Sequence, residues 1–191
     1  MNFLGLTKEK IYQMVECPHG DFLAEFFAHK FRDVPKVIQG IELGVRSAQD
    51  AAILLARLPV TIIGVDNYLP YIDVQAEITE EMQAKVKGHA IQLQKEYPDR
   101  FSLDFRDSIE AASKYPDKAY DFVFIDANHS YAEVKKDLLA WYNKVKPGGV
   151  YCGHDYSMDG VKAATTQFFS FTGHTLNNHK DPAVDVWWVN L

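Results

Sequence analysis

Apolar positions along the chain alternate between two rhythms. Short β-branched or apolar runs recur between longer stretches with helical spacing, the pattern of a parallel α/β sheet. Lys36–Leu43 reads as the first strand, entered after Pro35, and Val60–Asp66 as the second. Phe101–Arg106 alternates and reads as the third, and Tyr120–Asp126 is an apolar run expected of a strand buried on both faces. After the turn Pro147-Gly148-Gly149, Val150–His154 forms a fifth strand, and Val184–Val189 closes the chain as another.

Ser47-Ala48-Gln49-Asp50 resembles a capping box and opens a helix from Ala51 to Leu58, which Pro59 ends. A charged amphipathic helix is expected from about Val74 to Lys95, and a short one from Ser108. Ser130-Tyr131-Ala132-Glu133 is a capping box that starts a helix reaching Lys146, and Asp159-Gly160 precedes a helix through Phe169. Two N-terminal helices, Lys8–Glu16 and Asp21–Phe31, would cover the sheet or line its mouth. With no repeat, low-complexity segment or linker, a single domain is expected: a helical extension over residues 1–34 and a Rossmann-like core over 35–191.

Composition narrows the class. The 191 residues suffice for one sizeable core, and 47% hydrophobic with 24% charged residues is ordinary for a globular protein. No stretch approaches the roughly 20 apolar residues that span a bilayer. Met1–Thr7 lacks a basic segment followed by an apolar run, so a cytoplasmic protein without signal peptide or membrane partner is expected. The net charge of −6, without a Lys/Arg block, counts against nucleic acid as a partner and leaves a small molecule. Cys17 and Cys152 fit no metal or redox spacing and read as idle thiols; the sequence leaves the oligomeric state open.

The candidate chemistry sits at strand ends, where open α/β sheets bind ligands. Glu42-Leu43-Gly44-Val45-Arg46-Ser47 follows the first strand, with a glycine that lets the backbone approach a ligand and a helix N-terminus beyond it. Asp66, followed by Asn67, ends the second strand 22 residues after Gly44, placed to accept from a ribose diol. Asp107-Ser108 follows the third strand, where a carboxylate would accept from an adenine amino group, and Asp126 ends the fourth. Four such features in register specify a nucleoside-containing ligand. A dinucleotide fold wants further glycines to wrap a pyrophosphate, and Gly44 stands alone, which favours S-adenosylmethionine (SAM) over NAD.

These segments, with Phe124–Tyr131, Lys146-Pro147-Gly148-Gly149 and Gly153-His154-Asp155-Tyr156, resemble class I SAM-dependent methyltransferases. The match is nearest to the small-molecule O-methyltransferases that include macrocin-type sugar methyltransferases, and it runs from about Val37 to Tyr156. The resemblance implies a seven-stranded, mostly parallel sheet of order 3-2-1-4-5-7-6, with helices on both faces and the last strand antiparallel. It places Glu42–Ser47 at the methionine portion of SAM, Asp66 at the ribose and Asp107-Ser108 at the adenine. Family members usually carry a further Gly and a Ser where this chain has Ala48 and Asp50.

Asp126 and Asp155 end adjacent strands, so their carboxylates would converge on a hard divalent cation such as Mg²⁺, which would lower a substrate hydroxyl's pKa. Acids at these positions bind metal in the similar enzymes; Asn128 and Glu42 are candidates for a third ligand. His129 has a near-neutral pKa suited to a general base, and the similar sugar methyltransferases use a histidine here. Tyr68, His129, His154 and Tyr156 are candidate substrate contacts, with the Tyr68-Leu69-Pro70-Tyr71 loop as a wall. His19, His29, His89, His174 and His179 read as surface or packing residues, and Phe168-Phe169 and Trp187-Trp188 as core or subunit contact. The expected activity is metal-assisted O-methylation of a small hydroxylated acceptor, sugars included. The alternatives are a non-catalytic SAM-binding module, motivated by Ala48 and Asp50, and, more weakly, an NAD-dependent oxidoreductase.

Overall fold

A computed structural model describes residues 17–34, 36–72 and 77–191. Helix α1 (Pro18–Lys30) precedes strand β1 (Ile38–Leu43), helix α2 (Gln49–Arg57) and strand β2 (Val60–Val65). A small antiparallel pair, β3 (Tyr71–Ile72) and β4 (Glu77–Ile78), leads into helix α3 (Glu80–Glu96) and strand β5 (Phe101–Asp104). Helix α4 (Ser108–Ala112), strand β6 (Tyr120–Ile125), helix α5 (Tyr131–Trp141) and strand β7 (Val145–Gly153) follow. Helix α6 (Asp159–Ser170) and strands β8 (Asn177–Asn178) and β9 (Trp187–Asn190) complete the chain.

The main sheet has seven strands in the order β5-β2-β1-β6-β7-β9-β8. With the β3–β4 pair set aside, this is the expected order 3-2-1-4-5-7-6, and β9 runs antiparallel to both neighbours. Successive strand residues point to opposite faces, and here each face has its own core. Phe122 and Phe124 of β6 pack with Leu23, Phe27 and Leu54 from α1 and α2. Val123 and Ile125 pack on the other side with Leu138 and Trp141 of α5 and with Trp187. Covered on both sides, all six residues of β6 are buried. Trp187 and Phe169 lie fully in the second core, as their apolar clustering suggests. Among the described residues no helix is long and apolar enough to cross a membrane.

Several element boundaries differ from the sequence reading. The helix expected from Val74 starts at Glu80, because the Thr79 hydroxyl caps it by accepting from Met82 N, while Glu77 and Ile78 pair with β3. Periodicity alone extended the helix past its cap. The capping box at Ser47 does not form: Ala48 is the N-cap residue of α2, in a left-handed conformation, without a side-chain cap bond. The second capping box does form, with Ser130 Oγ accepting from Glu133 N. Helix α5 stops at Trp141 rather than Lys146, because Val145 already pairs with Tyr120 in the sheet. Strand β7 therefore runs through Pro147-Gly148-Gly149, with an irregular register at that point. Helix α1 begins at Pro18, three residues before the expected Asp21, with the proline in the first turn where its missing N–H costs nothing. The helix expected over Lys8–Glu16 lies outside the described residues.

Candidate active site

Register brings the site residues into one row. Leu43 pairs with Val65 on one side and Ile125 on the other, and Ile125 pairs with Gly153. Gly44, Asp66, Asp126 and His154 therefore emerge together at the C-terminal edge. Hydrogen bonds pin each of them: Gly44 N to Val65 O (3.0 Å), Asp66 N to Asp104 O (3.0 Å), Asp126 N to Leu43 O (2.8 Å) and His154 N to Ile125 O (3.0 Å). The ladder thus runs one residue beyond the strands and fixes the first residue of each loop.

Two hollows, of about 340 and 530 Å³, open along this edge and share Gly44, Arg46, Tyr71, Asp126 and Ala127. The smaller carries Asp66, Asn67, Asp107, Ser108, Asn128 and Asp137; the larger carries His19, Asp50, His129, His154, Asp155 and Ser47. Gly44 stands at their junction with φ +81. A left-handed φ is a conformation glycine adopts without the steric cost of a Cβ.

Asp66 organises the loop across from it. Its Oδ2 accepts from Arg46 N (3.0 Å) and its Oδ1 from Tyr68 N (2.8 Å). Each oxygen retains a further lone pair for a ligand hydroxyl. Burial pushes the Asp66 carboxyl above its ordinary value, against the pull of those N–H groups. Asp107 caps α4 by accepting from Ile109 N (2.9 Å), and Ser108 Oγ donates to Asp137 Oδ1. Asp137, buried in α5, is pushed up to about 7 by burial and by the charge of Asp107, against the Ser108 bond. Asn67 Oδ1 accepts from Leu69 N (3.0 Å) and Asn128 Oδ1 from Ser130 N (2.9 Å), so both shape their own turns.

The larger hollow holds an imidazole–carboxylate cluster. His129 Nε2 lies 2.8 Å from Asp155 Oδ2 and 3.9 Å from Asp126 Oδ1. His154 Nδ1 lies 3.2 Å from Asp155 Oδ2 and 3.7 Å from Asp126 Oδ1. Burial pulls the His154 imidazolium down, but the two neighbouring carboxylates, Asp126 and Asp155, outweigh it and push the group up to about 10. Against burial, His129 and then His154 hold Asp126 down at about 2 and Asp155 below its usual range. Asp155 turns back toward the cluster through φ 55, which aspartate tolerates better than most side chains. Single ligand atoms of Asp126, His129 and Asp155 all lie within 4.8 Å of one another.

Some expected site residues lie elsewhere. Tyr68 is buried at 6% exposure and donates its hydroxyl to Arg46 O (3.0 Å), so it supports the glycine loop from beneath rather than walling an acceptor. Leu69, Pro70 and Tyr71 of the same loop do line the cleft. Leu43 is wholly buried in the core, leaving only its backbone at the site, whereas Val45 reaches the larger hollow. Tyr156 packs against the second core and borders neither hollow. Glu42 is buried, with Oε2 unpartnered among the described residues, and Asn128 stands in the smaller hollow; neither joins the Asp126–His129–Asp155 group. His19 is not the surface or packing residue its isolation suggested. Its ring lies tilted against His154 at 4.2 Å between centroids, and its Nε2 lies 3.2 Å from Asp50 Oδ2.

Residues 37–156 match the family model described as a methyltransferase domain. The fold is similar to that of a Staphylococcus aureus protein provisionally described as a caffeoyl-CoA O-methyltransferase, at TM-score 0.68 and 13% identity over 98% of this chain and 93% of that one. It is also similar to CalS11, a TDP-rhamnose 3′-O-methyltransferase of calicheamicin biosynthesis, at TM-score 0.58 and 15% identity over 96% and 91%. A third likeness is to MycE, a methyltransferase of mycinamycin biosynthesis in complex with Mg and SAH, at TM-score 0.59 and 17% identity over 96% of this chain and 53% of that one. No curated protein matches the sequence significantly. The family match across the strand-end loops, carried on a class I methyltransferase sheet, identifies the chain as a member of the methyltransferase-domain family and a SAM-dependent methyltransferase.

Proposed function

We propose that this methyltransferase transfers the SAM methyl to a hydroxyl of a small acceptor, sugars included, with assistance from a divalent cation. The observation that carries the reading is the convergence of Asp126, His129 and Asp155 on one point in the larger hollow, beside the junction at Gly44. The smaller hollow takes the adenosyl part: Asp66 accepts from the ribose hydroxyls, and Asp107 and Ser108 meet the adenine. The backbone of Glu42–Ser47 meets the methionine part, and the larger hollow takes the acceptor. Residues 17–34 act as an extension of the one core domain, since His19 at the start of α1 reaches the acceptor side.

The cluster suits a cation on its own chemistry. Two carboxylates share one small volume, and a His154 held protonated supplies the positive charge between them. A divalent ion would take over that role, with Asp126 and Asp155 as oxygen ligands of the kind Mg²⁺ prefers. When bound it would lower the acceptor hydroxyl's pKa. With Asp155 drawn onto the ion, His129 Nε2, which lies 2.8 Å from Asp155 Oδ2, would be released to take the hydroxyl proton. Placing nucleophile and methyl in line supplies the rest of the catalysis. CalS11, described as a sugar O-methyltransferase, and MycE, described with Mg and SAH, support the acceptor class and the cation.

The 4.8 Å span of the trio also favours a second reading, in which His129 is the third ligand rather than the base. A methyl-transfer assay on hydroxylated acceptors, with and without EDTA, tests the proposal. Loss of turnover on chelation and in Asp126→Ala and Asp155→Ala is expected; undiminished turnover in all three removes the cation. His129→Ala that keeps its Mg²⁺ affinity marks His129 as the base, and one that loses it marks a ligand.

A further inference from the structure

We propose that Cys17, His19 and Asp50 form a second metal site, for a zinc-class divalent transition ion, distinct from the Asp126–Asp155 centre. The three come from two elements: Cys17 and His19 from the start of α1, and Asp50 from the first turn of α2. Cys17 Sγ lies 3.3 Å from His19 Nε2 and 3.6 Å from Asp50 Oδ1, and His19 Nε2 lies 3.2 Å from Asp50 Oδ2. Zinc bonds of about 2.3 Å to sulfur and 2.0–2.2 Å to nitrogen and oxygen, at tetrahedral angles, require donor separations of roughly 3.4–3.6 Å. The two Asp50 contacts use different carboxylate oxygens, and single donor atoms of the three residues lie within 4.8 Å of one another, so a modest closing shift would let one ion bind all three. Thiolate plus imidazole selects a soft or borderline ion over Mg²⁺.

Burial and the space left at the trio support an ion there. Cys17 and Asp50 are buried, at 1% and 6% exposure. Glu42, also buried, leaves Oε2 unpartnered among the described residues. Gly20 keeps the corner open: a Cβ there would stand 2.9 Å from Asp50 Oδ1 and 3.1 Å from Cys17 Sγ. His19 and Asp50 also line the larger hollow, so the fourth position faces the acceptor side and takes water or an acceptor oxygen. On binding, the Cys17 S–H bond breaks heterolytically, its proton leaves to solvent, and the sulfur electron pair forms the metal bond, without redox change.

The test is titration of the reduced, chelator-stripped full chain with Co²⁺ as a spectroscopic substitute for zinc. A thiolate-to-cobalt charge-transfer band in the near ultraviolet is expected, present in Cys152→Ala and Asp155→Ala and absent in Cys17→Ser. Cys152 is buried in β7 with its thiol directed at Val123 O, so it supplies no alternative sulfur. His19→Gln and Asp50→Asn are expected to weaken Co²⁺ binding by at least about 10-fold, the lower end of the loss seen for outer-shell partners. No band in the native chain, or a band that survives Cys17→Ser, overturns the site. If Cys17→Ser does not fold by circular dichroism, the decision passes to the other two, and unchanged affinity in both overturns it. The Asp155→Ala arm separates this outcome from failure of the cation-assisted reading.

Discussion

A Cβ added to Gly44 would stand 2.0 Å from the carbonyl oxygen of Asp126. The loop after β1 therefore lies directly on the loop after β6, and the two hollows meet at that contact. Gly44→Ala is expected to push these loops apart and to strain a φ of +81, at about 1–2 kcal/mol for the backbone alone. SAM affinity falls at least about 10-fold, the equivalent of 1.4 kcal/mol, as measured by calorimetry. Binding at native affinity would show that the loops separate without cost to the site.

Asp66→Ala removes the acceptor of Arg46 N and Tyr68 N together with the proposed ribose contact. A buried donor left unsatisfied costs about 1–3 kcal/mol. SAM affinity is expected to fall by roughly 10- to 100-fold, with a lower melting temperature in the SAM-free protein as well. Asp66→Asn, which keeps one oxygen for one of the two N–H groups, is expected to fall between the two.

Asp137 sets a pH dependence that most aspartates do not. Its folded pKa, about 7, lies above its ordinary 3.8, so the native state binds more protons than the unfolded chain between those values. Stability accordingly declines as pH rises from about 4 to 7 and flattens above that. Asp137→Asn is expected to remove this slope and to be more stable than the native protein at pH 8 by about 1–3 kcal/mol. Thermal melts across pH 4–8 check it, and parallel curves for both proteins would refute the assignment.

His154 gives a slope of the same sign in a higher pH window. Its folded pKa, about 10, lies above its ordinary 6.5, so its contribution is complete below about 6.5 and is lost as pH rises through about 10. Asp126, held at about 2, adds stability above its ordinary 3.8 that is lost as pH falls through 2. His154→Gln is expected to lower the melting temperature at pH 7 by several degrees, at about 2–4 °C per kcal/mol for this chain length. Added Mg²⁺ is expected to recover more of that loss than it adds to the native protein, since it would replace the missing positive charge. Equal Mg²⁺ responses would separate His154 from the cation site.

The strand–helix alternation was legible because burial on both faces imposes an apolar run on β6 and amphipathic spacing on the helices. Gly44, Asp66 and Asp126 were legible as a ligand-facing row because each directly follows a strand. Boundaries set by a single bond were not. Thr79 stops α3 with its hydroxyl, and Ala48 opens α2 through a left-handed turn, neither of which leaves a periodic signal. The Tyr68 side chain could not be placed either, because its inward turn depends on φ 52 and on the Arg46 carbonyl it meets.

By itself the sequence determined the sheet, its family and the residues at the strand ends, because those follow from local periodicity and from motifs contiguous in the chain. The tertiary structure alone decided which distant side chains meet. His129 and Asp155 are 26 residues apart, and Cys17 and His19 at the start of α1 meet Asp50 of α2. Their encounter depends on how α1 packs against α2 and on the register that aligns β6 with β7. Those are long-range packing choices, and spacing along one chain does not encode them.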